Sequence, residues 1–433
     1  MNTRSLMLFG GVAVLYLATG YFQSWNLSLA ILNTALIATI AAMGVNMQWG
    51  YAGLFSTGVM GFTALGGLGV VLVSAKPNAE NWAAGGSGIL LGLFIGAASI
   101  AAAIFAYNRM KPGRRTNLIL AAILIGGFFL YRAVFDPSVT AVEAVNPQAA
   151  GNIGGLGLPS LLAWPVGGLL AAVAAWAIGK TALGLRSDYL AIATLGIAEI
   201  VVAVIRNEDW LARGVKNTTG LPRPWPIPLE VEMQKQAGFM DFVAKYGLDP
   251  ANTSTIIVKL MYVVLFGLVL FAVIWASERA LNSPWGRMMR AIRDNEVSAA
   301  AMGKDVTRRH LHVFIIGSAV IGFAGAMMTS MDGQLTPGTY NPLRFTFLIW
   351  VMVIVGGSGN NWGTVLGGLL IGWLWLIVES VGPAAMGVIV SGIPDGPLKL
   401  HLIDSAQHMR LLTLGVILLV VLRFSPRGLI PEK

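Results

Sequence analysis

The sequence contains no cysteine, few charged residues and only 4 histidines. The absence of cysteine excludes disulfide bonds, thiolate nucleophiles and cysteine-held metals, and the scattered histidines form no ligand cluster. No His-Glu-x-x-His, Gly-x-Ser-x-Gly or paired-carboxylate motif is present, so catalysis has no support in the sequence. Gly179, Lys180 and Thr181 match the end of a phosphate-binding loop, but Ala174 stands where its first glycine is required. We therefore expect no enzyme, no metal, no cofactor bound by this chain and no ATP site of its own.

Apolar residues and glycine are abundant instead. Charged residues make up 11% and hydrophobic residues 56% of the 433 residues, whereas soluble domains average about 25% charged. The 53 glycines include small-xxx-small pairs that predict closely packed helices in lipid: Gly92/Gly96, Gly363/Gly367 and Gly368/Gly372. We predict an all-α polytopic membrane protein whose residues 1–433 form a single transmembrane domain. The net charge of +9 lies mainly in loops that follow a topology rule, so we expect a lipid bilayer and no nucleic acid as partner.

The apolar runs predict about 10–12 membrane helices. Residues 6–22 could serve as a secretion signal, but they lack a convincing cleavage site and a second apolar run follows at once, so they are predicted as the first helix. Two glycine-rich stretches, 50–75 and 356–361, predict broken or re-entrant segments, since an interior glycine costs roughly 1 kcal/mol relative to alanine.

The distribution of basic residues sets the predicted orientation. Positive charge is retained on the cytoplasmic side, which places the basic loop 278–310 and both termini in the cytoplasm. Residues 136–160, 206–254 and 382–408 are then predicted as external loops, of which 206–254 is the longest and faces the periplasm.

The loop 278–310 is the densest basic loop in the chain, with Arg279, Arg287, Arg290, Arg293, Lys304, Arg308 and Arg309. Asp294 and Asn295 can cap the start of a helix, and Glu296 suits its first turn. Gly303 offers a left-handed stop, and Asp305 provides a second start. The pattern predicts a short capped helix outside the bilayer that a cytoplasmic partner grips. A basic loop held against anionic lipid, at about 1 kcal/mol per basic residue, accounts for it equally well.

This loop resembles the cytoplasmic signature of the branched-chain amino acid (Liv-type) permeases of ABC transporters. The resemblance rests on Arg287, Arg290, Ala291, Ile292, Arg293, Asp294, Asn295, Glu296, Ala300, Met302 and Gly303. In that family the loop docks on the ATPase subunit. The resemblance therefore implies an ATPase-coupling role for Arg287, Arg290, Arg293, Asp294, Asn295, Glu296, Ala299, Ala300 and Gly303. The chain departs from the older Glu-Ala-Ala…Gly consensus, because Val297 and Ser298 separate Glu296 from the alanines.

Further fragments resemble the same family. Residues 53–58 resemble its Gly-x-Leu-Ser-x-Gly segment with Phe55 inserted, residues 187–199 its Asp-Tyr-Leu-Ala…Thr-Leu-Gly…Glu run, and residues 356–368 its Gly-Gly-x-Gly…Gly-x-x-x-Gly segment. Residues 423–429 resemble its carboxyl-terminal ending. Candidate residues along a substrate path are therefore Ser56, Thr57, Gly58, Thr194, Glu199, Gly357, Ser358, Asn360 and Asn361.

Each candidate has a plainer interpretation. The hydroxyl groups of residues 53–58 could bond back to their own helix within tight helix packing. Glu199 lies about three turns inside the membrane, where a carboxylate costs about 2.5 to 3.5 kcal/mol, so it either lines the path or pairs with a neighbouring helix or subunit. The break at 356–361 is either a discontinuous helix at the midplane or a turn at the cytoplasmic face.

The resemblance implies the permease subunit of an ABC importer in the bacterial inner membrane, with branched-chain or other hydrophobic amino acids as substrates. Its implied partners are a homologous second permease, two cytoplasmic ATPase subunits that use the ATP, and a periplasmic substrate-binding protein. Three alternatives stay open: a urea or short-amide importer of the same family, an ion-coupled secondary transporter, and a membrane structural or assembly factor.

Overall fold

The computed structural model describes residues 3–146 and 151–432. The α-helices of the described residues range from single turns to 32 residues. They are α1 (Thr3–Phe22), α2 (Trp25–Val45), α3 (Val59–Ser74), α4 (Ala79–Asn81), α5 (Ser87–Arg109), α6 (Arg114–Val145), α7 (Ser160–Ala182), α8 (Ser187–Asn207), α9 (Asp209–Ala212), α10 (Glu230–Gln234), α11 (Ala237–Tyr246), α12 (Pro250–Leu281), α13 (Pro284–Asp294), α14 (Glu296–Ala301), α15 (Val306–Asp332), α16 (Leu348–Gly356), α17 (Asn361–Val390), α18 (Pro397–Asp404) and α19 (Met409–Phe424). Three π-helical segments (Asn46–Tyr51, Trp82–Gly86 and Leu343–Phe347) and three 3₁₀ turns (Gly214–Lys216, Pro337–Thr339 and Ser405–His408) complete the helical part. Strands β1 (Thr218–Thr219) and β2 (Gln334–Leu335) form one antiparallel pair.

The expected all-α membrane fold is confirmed. Within the described residues, 9 helices are long and apolar enough to cross a bilayer. Among the described residues the number of candidate spans rises to ten if the bent pair of α18 with α19 is counted as one span. That is the lower end of the expected range of 10–12, and two further apolar helices, α3 and Arg344–Gly356, are shorter than the spans.

The centre of the bundle is built by α2, α3, α7 and α15, which pack backbone against backbone. A Cβ added to Gly66 would overlap the carbonyl group of Gly322, and one added to Gly69 would lie 2.6 Å from the Cα of Gly167. Without a hydrophobic driving force in lipid, close approach of this kind is what joins helices. The predicted small-xxx-small pairs also pack closely, for example Gly372 against α2.

The two glycine-rich stretches do interrupt helices. The π-helical segment Asn46–Tyr51 ends α2, and residues 52–58 run without regular structure to the start of α3. In the second stretch, α16 ends at Gly356, and Gly357 and Gly359 take φ angles of +121° and +78° before α17 begins. Both angles favour glycine.

The loop 278–310 defines one end of the bundle, which we call the basic end. The C-terminal tail lies there, since Arg293 contacts Glu432, and so does the start of α1, since Arg4 lines a cavity together with Glu432. Backbone hydrogen bonds from Asn78 to Ile153 and from Ile153 to Trp210 join loops at the other end, which we call the opposite end. Both described ends of the chain therefore lie at the basic end.

Two predicted loops are shorter than expected. The prediction for 136–160 was wrong in its first half, because α6 continues through Pro137 to Val145; residues 147–150 lie outside the described part. The prediction for 382–408 was also too long, because α17 continues through Pro383 to Val390. Proline is tolerated in membrane helices where neighbouring groups satisfy the freed carbonyls.

The predicted 206–254 loop contains the short elements from α9 to α11. It ends where α12 starts at Pro250, capped by the Asp249 side chain, which accepts a 2.8 Å hydrogen bond from the amide of Asn252.

Candidate functional site

Residues 52–58, which we call the entry segment, lie against α8. The amide of Thr57 donates to the hydroxyl of Thr194 at 3.1 Å, and the hydroxyl of Thr57 donates to the carbonyl of Ala191 at 2.6 Å. A Cβ added to Gly58 would lie 2.9 Å from the carbonyl oxygen of Thr194, so this close approach requires glycine. Three of the predicted path residues, Thr57, Gly58 and Thr194, are thus brought together.

The entry segment also contacts the π-helical segment before α16 and the first turn of α16. The hydroxyl of Thr346 donates to the carbonyl of Thr57 at 3.2 Å, and the indole N–H of Trp350 donates to the carbonyl of Ser56 at 3.1 Å. The sequence analysis missed both residues. The available signal was that α3 and Arg344–Gly356 are unusually short apolar helices, since short or interrupted segments in the two halves of a transporter point to its binding site.

Ser56 is the one predicted path residue with a buried, unpartnered hydroxyl among the described residues. It is 1% exposed, and its Oγ has no hydrogen-bond partner. An unsatisfied buried polar group costs about 1 to 3 kcal/mol, so it calls for a reason. The hydroxyl of Thr57 therefore bonds to a neighbouring helix, and that of Ser56 has no partner among the described residues.

Aromatic rings flank the entry segment. The ring of Trp350 lies 4.7 Å from that of Phe55 and 4.9 Å from that of Trp49. Phe55 and Phe347 are exposed at the surface of the chain. An apolar aromatic surface beside a few polar groups is typical of sites that bind small hydrophobic solutes.

Glu199 lies on the exposed face of α8. Its neighbour Ala198 points inward, against Gly61 of α3. Among the described residues Glu199 has no hydrogen bond or ion pair, so a partner on another helix of this chain is excluded there. The path and a neighbouring subunit remain the two interpretations for a carboxylate at that depth.

The turn at Gly357–Asn361 lies at the basic end. Asn360 caps α17, because its side-chain oxygen accepts from the amides of Trp362 and Gly363 at 3.0 and 3.2 Å. The side-chain nitrogen of Asn360, Nδ2, donates to the carbonyl of Pro431 in the C-terminal tail at 3.1 Å. Within the described part of the chain, no hydrogen bond joins Gly357, Ser358, Asn360 or Asn361 to Thr57 or Thr194. Of the two interpretations of this break, the geometry supports the turn at one face.

Asn361 is the centre of a polar cluster that the sequence analysis did not find. Its oxygen accepts from the Tyr51 hydroxyl at 3.0 Å and the Asn46 amide at 3.3 Å, and its nitrogen donates to Glu278 at 3.0 Å. The cluster joins the π-helical segment after α2 to the end of α12 and the start of α17. Buried amides must be hydrogen-bonded, and here both polar atoms of Asn361 are.

The basic loop holds two helices where the sequence predicted one. The predicted helix is α14, capped by Asn295, whose side chain accepts from the amide of Ser298 at 2.9 Å. Gly303 takes a φ of +76°, and Asp305 caps α15 by accepting from the amide of Arg308 at 2.9 Å. The sequence analysis missed α13, which begins at Pro284, a residue that favours the first turn of a helix.

Arg293 connects α13 to the transmembrane part. Its guanidinium donates to the carbonyl of Gly50, to Glu432 at 2.8 Å and to Asp294 at 3.2 Å. Its side chain also lies against Gly53, at the start of the entry segment. Burial alone would lower the pKa of Arg293, but the hydrogen bonds and charges of Glu432 and Asp294 raise it above its ordinary value. The guanidinium therefore stays charged and bonded.

The outer face of the basic loop is exposed and partly apolar. Val297 and Met302 are 80% and 81% exposed. Between α13 and α14 lies a groove of about 350 Å³, lined by Met288, Ala291, Ile292, Asn295, Ser298, Ala299, Met302 and Lys304. The remaining predicted coupling residues, Arg287, Arg290, Asp294, Glu296, Ala300 and Gly303, lie on the same two helices or just beyond them.

A bundle of long apolar helices, two of them interrupted, with a folded basic loop at one end is the architecture of a polytopic membrane protein. The sequence profile described as branched-chain amino acid transport system, permease component, matches residues 138–422, and the chain belongs to this family.

Curated relatives carry compatible names. The LivM permease protein of the high-affinity branched-chain amino acid transport system of Salmonella typhimurium is 27% identical over 344 residues, which cover 78% of this chain and 70% of the relative. The probable LivM protein of Methanocaldococcus jannaschii is 28% identical over 336 residues, covering 74% and 85%. The ribose import permease RbsC of Haemophilus influenzae matches over only 110 residues, at 28% identity. No solved structure matches the chain.

Proposed function

We propose that this chain is the permease subunit of an ABC importer that translocates branched-chain or other hydrophobic amino acids across the bacterial inner membrane. Separate ATPase subunits hydrolyse the ATP, a homologous second permease completes the path, and a periplasmic binding protein delivers the substrate. The names of the LivM relatives describe them as permease proteins of branched-chain amino acid transport, and the proposal extends that function to this chain. In this orientation the basic end and both termini are cytoplasmic.

One observation supports the proposed coupling most strongly. Arg293 of α13 bonds to Gly50 and lies against Gly53, while Thr57 and Gly58, a few residues further on, lie against Thr194 of α8. A push on the basic loop is therefore passed to the entry segment through hydrogen bonds and direct contacts. Tightly packed elements of this kind switch between discrete arrangements and do not deform gradually.

The proposed docking surface is the exposed face of α14 with its groove. A central apolar contact ringed by polar groups is typical of protein interfaces. We expect Val297→Asp with Met302→Asp to abolish co-purification of the ATPase subunits, because both changes place a charge in an apolar contact.

The matched control is Val231→Asp in α10, which is 61% exposed and lies in the 206–254 loop on the opposite end. It should leave co-purification unchanged. Loss of the ATPase from both variants, or from neither, would contradict docking at α14.

The proposed substrate path includes the buried hydroxyl of Ser56. Ser56→Ala should leave the stability of the protein unchanged or slightly raised. If the hydroxyl hydrogen-bonds to the solute during passage, the KM for leucine uptake should rise about fivefold, which corresponds to about 1 kcal/mol.

Ser74→Ala is the control, because Ser74 is also 1% exposed with an unpartnered hydroxyl, at the far end of α3. It should leave the KM unchanged. Uptake assays with urea as competitor separate the amino acid importer from a short-amide importer, and an ion-coupled carrier would keep transporting after ATP depletion.

A further inference from the structure

Helices α5 and α6 form a hairpin that stands apart from the bundle. Only 17% of the apolar window of α5 and 6% of that of α6 is buried, against 72% for the span that contains α2. The two helices pack on each other, and their other extensive contacts in the described residues go to α4, Trp82–Gly86 and α9. A small apolar cluster with Ile153 and Trp210 fixes the hairpin at the opposite end. Its closing turn reaches the basic end without comparable support.

That closing turn is strongly basic. Arg109, Lys111, Arg114 and Arg115 lie within seven residues, and residues 81–135 contain no aspartate or glutamate. All four side chains are exposed, and none forms an ion pair within the described part of the chain. The hairpin therefore presents four positive charges that nothing in it neutralises.

The turn has a defined shape. The hydroxyl of Thr116 donates to the carbonyl of Lys111 at 2.6 Å, and the amide of Met110 donates to the carbonyl of Ala106 at 3.0 Å. Arg114 and Arg115 lie in the first turn of α6, where positive charge is disfavoured. An anion outside the protein relieves that repulsion, and these hydrogen bonds order the backbone from which the four cations project.

We propose that the turn 109–115 and the apolar flanks of the hairpin form a binding site for anionic phospholipid. The basic side chains bind the headgroup phosphates, and the acyl chains lie along the adjacent apolar surface. Phe105, Tyr107 and Leu118 are exposed within two helical turns of the cations, which suits a lipid and offers nothing to free phosphate. The family profile matches from residue 138 onward, so the closing turn lies outside the residues that this profile matches.

The test uses the full chain purified in uncharged detergent, so that membrane insertion is already complete. Binding of phosphatidylglycerol and of phosphatidylcholine with the same acyl chains is measured by native mass spectrometry. We expect tighter binding of phosphatidylglycerol, with a loss of about fivefold in affinity for each basic residue removed. The combined variant Arg109→Gln, Lys111→Gln, Arg114→Gln and Arg115→Gln should lose the preference entirely.

The control variant changes four exposed basic residues at or beyond the opposite end to glutamine: Lys76, Arg206, Lys235 and Lys245. It should keep the preference for phosphatidylglycerol. If the fourfold turn variant does not fold, Arg114→Gln with Arg115→Gln tests the same site and should lose affinity about 25-fold. Equal loss in turn and control variants, or displacement of the lipid by millimolar inorganic phosphate, would overturn the proposal.

Discussion

The central helices and the α5–α6 hairpin are both apolar and both contain glycine, yet their glycines meet different neighbours. In the centre, Gly66 and Gly325 face backbone atoms of neighbouring helices, whereas in the hairpin Gly92 and Gly127 face mainly side chains of the partner helix and Gly126 has nothing within 4 Å. The centre thus depends on a close backbone fit, and most of the hairpin's surface is left outside the bundle. Helices packed as tightly as the central ones transmit a displacement, while the hairpin has no partner in the bundle to displace.

The strongest test of this comparison is a methyl group added to one glycine in each region. Gly66→Ala places a Cβ against the carbonyl of Gly322, which cannot move aside as a side chain can. We expect a loss of roughly 3 kcal/mol or more, measured by thermal unfolding in detergent. Gly126→Ala should be neutral or stabilise α6 by up to about 1 kcal/mol. Equal changes in stability at both sites would contradict the difference in packing between the two regions.

A smaller effect is expected from the polar cluster. Asn361→Ala removes the amide that joins Glu278 to Tyr51 and Asn46. The groups left unpaired should cost about 1 to 3 kcal/mol in unfolding free energy. Asn117→Ala, at an exposed position in the hairpin, is the control and should change stability by less than about 0.5 kcal/mol. A neutral Asn361→Ala would show that the cluster is not structurally important.

The smallest expected effect distinguishes ring packing from lipid contact. Phe314 is fully buried and meets Phe62 edge-on at 5.7 Å, whereas Phe129 in the hairpin is 66% exposed. Phe314→Leu should destabilise by about 1 kcal/mol through the lost ring contact. Phe129→Leu exchanges one lipid-facing apolar group for another and should have no measurable effect. Thermal unfolding of both variants under identical conditions measures the two effects, and equal losses of stability would contradict the distinction.

Much of the fold follows from the sequence. Apolar runs gave the crossings, and the cap residues Asn295, Gly303 and Asp305 gave the ends of α14 and the start of α15. The ends of α6 and α17 were missed, because both helices continue through a proline, which is tolerated in lipid when neighbouring groups satisfy the freed carbonyls. The amphipathic helix α13 was missed because charge density suggested a loop.

The candidate sites were predicted less completely. The sequence motifs named Thr57, Gly58 and Thr194, which do meet, but nothing local to residues 346 and 350 reveals that they close the same contact. Such pairings depend on how helices distant in the sequence pack together, and the spacing of residues along one helix does not reveal that packing. The same reason explains why the partners of Asn361 were not foreseen.

The most direct test of the account replaces Arg293 in the assembled transporter. Arg293→Met removes the hydrogen bonds to Gly50 and Glu432 and leaves the exposed face of α14 intact. We predict that the ATPase subunits still co-purify while ATP-dependent leucine uptake into proteoliposomes falls tenfold or more, as expected for the loss of charged hydrogen bonds worth about 1.5 to 3 kcal/mol. Arg279→Met, which removes an exposed guanidinium at the end of α12, should retain uptake. Unchanged uptake with Arg293→Met would contradict the proposal that the basic loop drives the entry segment through this residue.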